Sequence, residues 1–392
     1  MSIRLKAMVA LVVLSGCAPG PTPPPHLDQI TSAELDRRLE MATKSVPGVV
    51  FGAVWRDGAT VVSAAGAADL RSGRKVTPET PFAWFSVTKL FTATAVLQLS
   101  ERGLIDIDAP VSKYLPQTRL VRDGREATVR ELLSHSSGMP NPIPVTWIHL
   151  ANEPGPGIDG MIAQHMGTNP KLDSTPGTKT AYSNLGYVLL GKIVERVSGT
   201  PYERYVEQNV LAPLGCRTSG FAVTSERATA YQKKWSFTGL ASRWMVDGRF
   251  FGDTIDGYWE LRPFTMDGTP YGGLNGPVNC LLRFARMTLT DGEGDRGRVL
   301  APESVRAMLA PSLLRDGKPT GFGLAWRLGK IDGESYADHD GGGGGYRSEL
   351  RIYPRRNYAV AVLANESSFS TDELARVIVR AAATELKAAP TP

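Results

Sequence analysis

The 392-residue chain carries 44 basic and 39 acidic residues, a formal charge of +5, and no basic stripe, which argues against a nucleic-acid surface. At this length, with 42% hydrophobic residues and neither repeat nor internal linker, one large core is expected rather than a repeat array or a disordered chain. Its five histidines (His26, His135, His149, His165, His339) show no metal-ligand spacing, so no metal or other cofactor is implied.

Taken in chain order, Arg4 and Lys6 precede a short apolar run over residues 7–14, followed by Ser15-Gly16-Cys17. The run is too short to span a bilayer and has the anatomy of an export signal. Leu14-Ser15-Gly16-Cys17 resembles a bacterial lipobox, which would make Cys17 an acylated N-terminus and the protein an exported, membrane-anchored lipoprotein facing the periplasm. Ala18 supplies no Asp-type retention signal, so the outer membrane is the expected anchor site. Residues 17–30 form a proline-rich tether, and residues 31–390 form one domain. Without residues 1–16 the charge falls to 42 basic against 39 acidic.

Thr31 with Glu34 reads as a capping box for a helix to about Lys44. Residues 49–55 and 60–65, split by Arg56-Asp57-Gly58, read as a β-hairpin, as do residues 349–353 and 358–364 around Pro354-Arg355-Arg356-Asn357. A closing amphipathic helix is expected over residues 371–386. Strands therefore occur at both chain ends with helices between them. The fold class is α/β of the α+β type: an antiparallel β-sheet built from both ends, flanked by helices, with a central, mostly helical region. Cys216 and Cys280 can form a disulfide in an oxidising compartment, though spacing supplies no geometry.

Three stretches carry chemistry. Phe85-Ser86-Val87-Thr88-Lys89 opens an almost uncharged helical run that ends at Glu101-Arg102-Gly103. Ser86 and Lys89 project from one face, and a hydroxyl at a helix start with an amine one turn on is an activated nucleophile. Read alone, the same pattern is a simple N-cap beside a solvated lysine, and Ser72-Gly73-Arg74-Lys75 repeats it in a charged turn with no helix following. Tyr182-Ser183-Asn184 precedes an amphipathic helix over residues 185–197. A tyrosine beside a lysine can ionise partly and act as a general base, and Asn184 offers a donor and an acceptor to a substrate amide. Finally, His339-Asp340-Gly341-Gly342-Gly343-Gly344-Gly345 leads into a strand, where glycines let backbone approach a ligand and complete an oxyanion hole with the Ser86 N–H.

Ser-x-x-Lys, Tyr-x-Asn and His-x-Gly in this order resemble the serine β-lactamase and penicillin-binding protein superfamily, nearest its class C branch with the DD-peptidase-like and esterase-like members. Connecting stretches fit as well, among them Leu132-Leu133-Ser134-His135-Ser136-Ser137-Gly138-Met139-Pro140 and Gly321-Phe322-Gly323-Leu324-Ala325-Trp326. The resemblance spans residues 35–386 and implies a β-lactamase/transpeptidase-like fold. It makes Ser86 the nucleophile, Lys89 its proton partner and Tyr182 the acid/base, with Asn184, His339, Gly341 and Gly342 against the substrate. His135, in the serine-rich stretch, is expected to be structural.

The implied function is a serine hydrolase acting through an acyl-enzyme on a small ester or amide, or on a cell-wall peptide. The alternatives are a D-alanyl-D-alanine carboxypeptidase or endopeptidase, a β-lactamase, or a non-hydrolytic penicillin-recognising lipoprotein. His339 stands where class C β-lactamases carry a lysine, and Asp340 adds a negative charge, so an anionic substrate is expected to be disfavoured. Residues 231–259 hold Tyr231, Trp235, Phe237, Trp244, Phe250, Phe251, Tyr258 and Trp259 with weak periodicity. They read either as a lid over an apolar acyl group or as the core of a local insertion.

Overall fold

Two hairpins, one from each end of the chain, close the main sheet against each other. The structure is a computed structural model that describes residues 32–142, 146–167, 170–331 and 333–388. In chain order, its frame begins with helix α1 (Ser32–Ala42), strands β1 (Gly48–Trp55), β2 (Thr60–Asp69) and β3 (Arg74–Lys75), and helix α2 (Thr88–Glu101). The middle supplies helix α3 (Asn184–Ser198), strand β4 (Ala230–Lys233), helix α4 (Phe237–Met245), strands β5 (Phe251–Ile255) and β6 (Tyr258–Leu261), and helix α5 (Val278–Leu289). Strands β7 (Arg327–Ile331), β8 (Glu334–Gly343), β9 (Tyr346–Tyr353) and β10 (Tyr358–Ala364) and helix α6 (Thr371–Ala388) complete it. The lipobox with Cys17, the tether and Thr31 of the expected capping box lie outside the described residues. No helix among the described residues is long and apolar enough to cross a membrane.

The seven strands run in the order β7-β8-β9-β10-β1-β2-β3, and β1 joins the two hairpins by pairing Val49 with Ala364 through Trp55 with Tyr358. Both faces of the central strands are covered, so alternation separates two apolar layers rather than core from water. Val49, Phe51, Ala53, Val360 and Val362 pack with Leu35, Leu39 and Ile378 of α1 and α6. Val50, Val54, Ala361 and Leu363 face the larger core beneath α5 and α2. Gly52 is needed there, because a Cβ would sit 2.7 Å from a Leu282 methyl.

Helix α2 is the axis of that core, with every residue from Thr88 to Leu99 buried. Its threonines tolerate this because their hydroxyls donate to carbonyls, Thr94 to Leu90 at 2.9 Å and Thr92 to Pro270 at 2.6 Å. Helix α3 starts at an N-cap where Ser183 Oγ accepts from the Gly186 N–H, and stops at Gly199 with φ 69°. The central region is less helical than expected. It holds a three-stranded sheet, β4-β6-β5, with α4 inserted between β4 and β5. Cys216 and Cys280 are joined as a disulfide, tying the loop after residue 211 to α5.

Candidate active site

Strained backbone presents Ser86. Phe85 sits at φ 47°, a left-handed conformation costly for a bulky residue, and Phe85–Val87 form a 3₁₀ turn ahead of α2. Three contacts hold the turn: the Trp84 indole N–H donates to Gly276 O at 2.9 Å, Ser348 Oγ donates to Trp84 O at 2.7 Å, and the Phe85 ring packs between Phe264 and Tyr346.

One turn on, Lys89 Nζ lies 3.0 Å from Ser86 Oγ and donates to the Tyr271 carbonyl at 2.7 Å. The amine is fully buried among the rings of Tyr182, Tyr187 and Tyr271, at 5.0, 5.6 and 5.3 Å from their centroids. Burial pulls its pKa well below the usual 10.5, and the more distant Asp340 carboxylate opposes this without overcoming it. Burial therefore favours the neutral amine, the form that can accept a proton. Tyr182 corrects the sequence reading in the opposite sense: burial raises its pKa, outweighing a hydrogen-bonding interaction with Ser86, so it is a protonated phenol and not a phenolate. Burial also disfavours the lysine cation that was expected to help the tyrosine ionise.

The loop carrying Tyr182 and Asn184 is held by the serine-rich stretch. His135 Nδ1 accepts from the Ser183 N–H at 3.2 Å, its carbonyl accepts from the Ala181 N–H at 2.8 Å, and its ring lies 4.3 Å from that of Tyr182. His135 thus positions Tyr182, consistent with a structural role. Asn184 is buried, yet its Oδ1 has no partner and the residue lines the cavity beside Ser86.

Strand β8 brings in His339, Asp340, Gly341 and Gly342. Nδ1 of His339 donates to the Asp340 carbonyl at 2.8 Å, leaving Nε2 as a buried acceptor without a partner. Burial is the main cause that pulls its pKa down to about 4, so the ring is neutral at pH 7. A Cβ on Gly341 would lie 2.2 Å from Trp84 O and 2.9 Å from Ser86 N, so glycine is what lets β8 lie against the nucleophile turn.

Two cavities meet at Ser86 and Gly342. One, of about 230 Å³, is apolar and is walled by Phe85, Val246, Phe250, Phe251, Leu261 and Phe264. The segment 231–259 therefore supplies much of an acyl-sized pocket, as a small sheet and a helix. The other, of about 420 Å³, is polar and is lined by Tyr182, His339, Asp340, Arg327 and Arg347. Here the Asp340 carboxylate does not stand alone. Asp340 is paired with Arg327 at 2.9 Å, and Arg347 finds no carboxylate within ion-pair distance among the described residues. Its guanidinium lies over Gly342, where a Cβ would be 2.5 Å from Nη1. Ser72, by contrast, lies in a turn where Asp69 Oδ1 accepts from the Arg71 and Ser72 N–H groups, remote from these residues.

Sequence reasoning missed Arg327, Arg347 and the Tyr271 carbonyl. Arg347, eight positions after His339 on the partner strand, had no motif to mark it. The Tyr271 carbonyl is backbone and leaves no residue-type signal.

With this geometry in place, comparison with known proteins is specific. Residues 35–384 match the β-lactamase family. Penicillin-binding protein 4 of Amycolatopsis lactamdurans is 30% identical over 346 residues, covering 83% of this chain and 84% of that protein. The octameric penicillin-binding protein homologue from Pyrococcus abyssi superposes with a TM-score of 0.70 at 27% identity, over 89% of this chain and 75% of that one. The D-amino acid amidase from Ochrobactrum anthropi shares the fold, with a TM-score of 0.73 at 20% identity over 92% and 100% of the two chains.

Proposed function

The chain belongs to the β-lactamase family, whose members are serine hydrolases, and from that premise we propose that it hydrolyses an ester or amide through an acyl-enzyme on Ser86. The observation that carries this reading is the buried Lys89 amine, 3.0 Å from the Ser86 hydroxyl with its pKa lowered. Neutral Lys89 takes the Ser86 proton as Oγ attacks the carbonyl carbon. The backbone N–H groups of Ser86 and Gly342 stabilise the oxyanion. Protonated Tyr182 gives its proton to the leaving group and takes one back from Lys89. Water then attacks the acyl carbon and releases the acid.

The two cavities refine the substrate class. An apolar acyl group fits beside Phe250, Phe251 and Phe264, and a substrate N–H would satisfy Asn184 Oδ1. The leaving group lies toward Arg327 and Arg347, which favours one carrying a carboxylate. That arrangement supports, as a second reading, a peptidase acting next to a C-terminal carboxylate. We further propose that Cys17 is acylated and that the domain faces the periplasm, a reading supported by the lipobox-like sequence. Intact-mass detection of acylation by a fluorophosphonate, a penicillin and a short-chain ester tests the catalytic reading. Adducts on wild type that vanish in Ser86→Ala are expected; labelling that survives the substitution rejects Ser86.

A further inference from the structure

Among the described residues ten large hydrophobic side chains are exposed, and five of them cluster at Trp235, Phe237, Leu240, Trp244 and Met245. Phe237 and Trp244 are each 88% exposed and Trp235 is 78% exposed. Phe237, Leu240 and Trp244 follow helical spacing and form one stripe along α4. The stripe cannot roll inward. Ser236 Oγ caps the helix by accepting from the Gly239 N–H at 3.0 Å, and a Cβ on Gly239 would lie 2.1 Å from the Lys233 carbonyl oxygen. The helix is pressed onto the end of β4 with its apolar side facing out, while Ser242 and Val246 at its inner side line the apolar cavity next to Ser86.

Charge surrounds this stripe. Residues 231–249 hold four cations, Lys233, Lys234, Arg243 and Arg249, against one carboxylate, Asp247. Arg249 is taken by Glu153 and Asp247, but Lys233, Lys234 and Arg243 have no carboxylate within ion-pair distance among the described residues. Of the neighbouring carboxylates, Asp253 and Glu260 are held by Arg71, Glu366 is buried and accepts from the Lys233 N–H, Glu373 borders the groove beside Lys233, and Asp256 lies in the β5–β6 turn. Lys234 lies 5.6 Å over the Trp235 ring and Arg243 lies 5.1 Å over that of Phe251.

We propose that this outward face of α4 and its preceding turn is a lipid-docking surface for an anionic membrane. Aromatic side chains with a polar edge enter the boundary of the acyl region, and the unpaired cations meet the phosphate headgroups. A second copy of the chain is the poorer occupant, since a two-fold pairing of this face would bring the same cations together. Docking would hold the wall of the apolar cavity against the lipid, beside the place where acyl groups are expected. The inference stands on surface chemistry and does not depend on Ser86 being the nucleophile.

The test uses the full chain carrying Cys17→Ser, so that no acyl anchor contributes. Binding is read by co-sedimentation with phosphatidylglycerol-containing vesicles and with phosphatidylcholine vesicles. Insertion is read by quenching of tryptophan fluorescence with lipids brominated on their acyl chains. Anionic vesicles should bind the protein and quench it. Trp235→Ser, Phe237→Ser and Trp244→Ser together should weaken binding about tenfold or more, and Lys233→Glu with Lys234→Glu should remove the preference for anionic lipid. An unchanged circular-dichroism spectrum and thermal midpoint would show that the triple variant is folded. Binding equal to wild type in that variant would overturn the proposal. So would a lipid-independent dimer of the wild type that the variant loses, since the face would then be a self-association surface.

Discussion

Gly341 and Ser86 are in backbone contact: a methyl group on the glycine would lie 2.9 Å from the Ser86 nitrogen and 2.2 Å from the Trp84 oxygen. Neither atom can move without shifting the strained turn at Phe85. Gly341→Ala should therefore lower kcat by two or more orders of magnitude, of the order seen when an oxyanion donor is lost. Gly342→Ala meets only the flexible Arg347 guanidinium and should cost far less. Steady-state kinetics of both variants, with circular dichroism to verify folding, checks the contrast. Equal losses would mean that the strand does not set the nucleophile.

Lys89 should act through its neutral form. Activity should be lost as pH falls through its lowered pKa and should reach a plateau well below the 10.5 of an ordinary lysine. His339, with its pKa at about 4, should contribute only at the acid extreme. Lys89→Arg keeps a permanent cation and should reduce kcat by about a thousandfold or more. A wild-type profile still rising at pH 10 would contradict a discharged lysine.

Arg347 should discriminate substrates by charge. Arg347→Gln should lower kcat/KM about tenfold for a substrate whose leaving group bears a carboxylate, with a much smaller effect on p-nitrophenyl butyrate. Asp340→Thr should act the other way on the anionic substrate, because it releases Arg327 from its 2.9 Å pair. The same two substrates measured on three proteins decide it. A uniform loss on both substrates in Arg347→Gln would indicate a structural role only.

Glu349 should tilt stability against pH. Burial pushes its carboxyl from 4.5 up to about 8, and Asp338, Asp340 and Asp372 reinforce this against the opposing Arg351 charge. One guanidinium nitrogen, Arg351 Nη2, is shared by Glu349 at 2.7 Å, Asp338 at 3.2 Å and Asp372 at 2.5 Å. With the folded pKa raised, the stabilising contribution is complete below 4.5 and is lost as pH rises through about 8. Glu349→Gln should flatten that decline. Thermal midpoints at pH 5, 7 and 9 measure it, and identical slopes in the two proteins would place the decline elsewhere.

The pocket-forming insert shows where sequence patterning ran out. Strands β4, β5 and β6 have four, five and four residues, too short for alternation to register. Helix α4 also turns its apolar stripe toward water, so a reading that assigns apolar faces to the core points it the wrong way.

Local geometry was legible in the chain itself. The one-turn spacing of Ser86 and Lys89, the helix that follows Tyr182-Ser183-Asn184 and both terminal hairpins follow from backbone periodicity over a few residues. Partners and charge states were settled only by tertiary structure. Burial lowers the pKa of Lys89 and raises that of Tyr182, because it strips solvent from both. Asp340 is paired with Arg327 and Arg347 is laid over Gly342 because β7, β8 and β9 pair at one side of the main sheet. The reason is physical: spacing along a helix is set by covalent geometry, whereas a pKa depends on the water and charges around it, which long-range packing alone arranges.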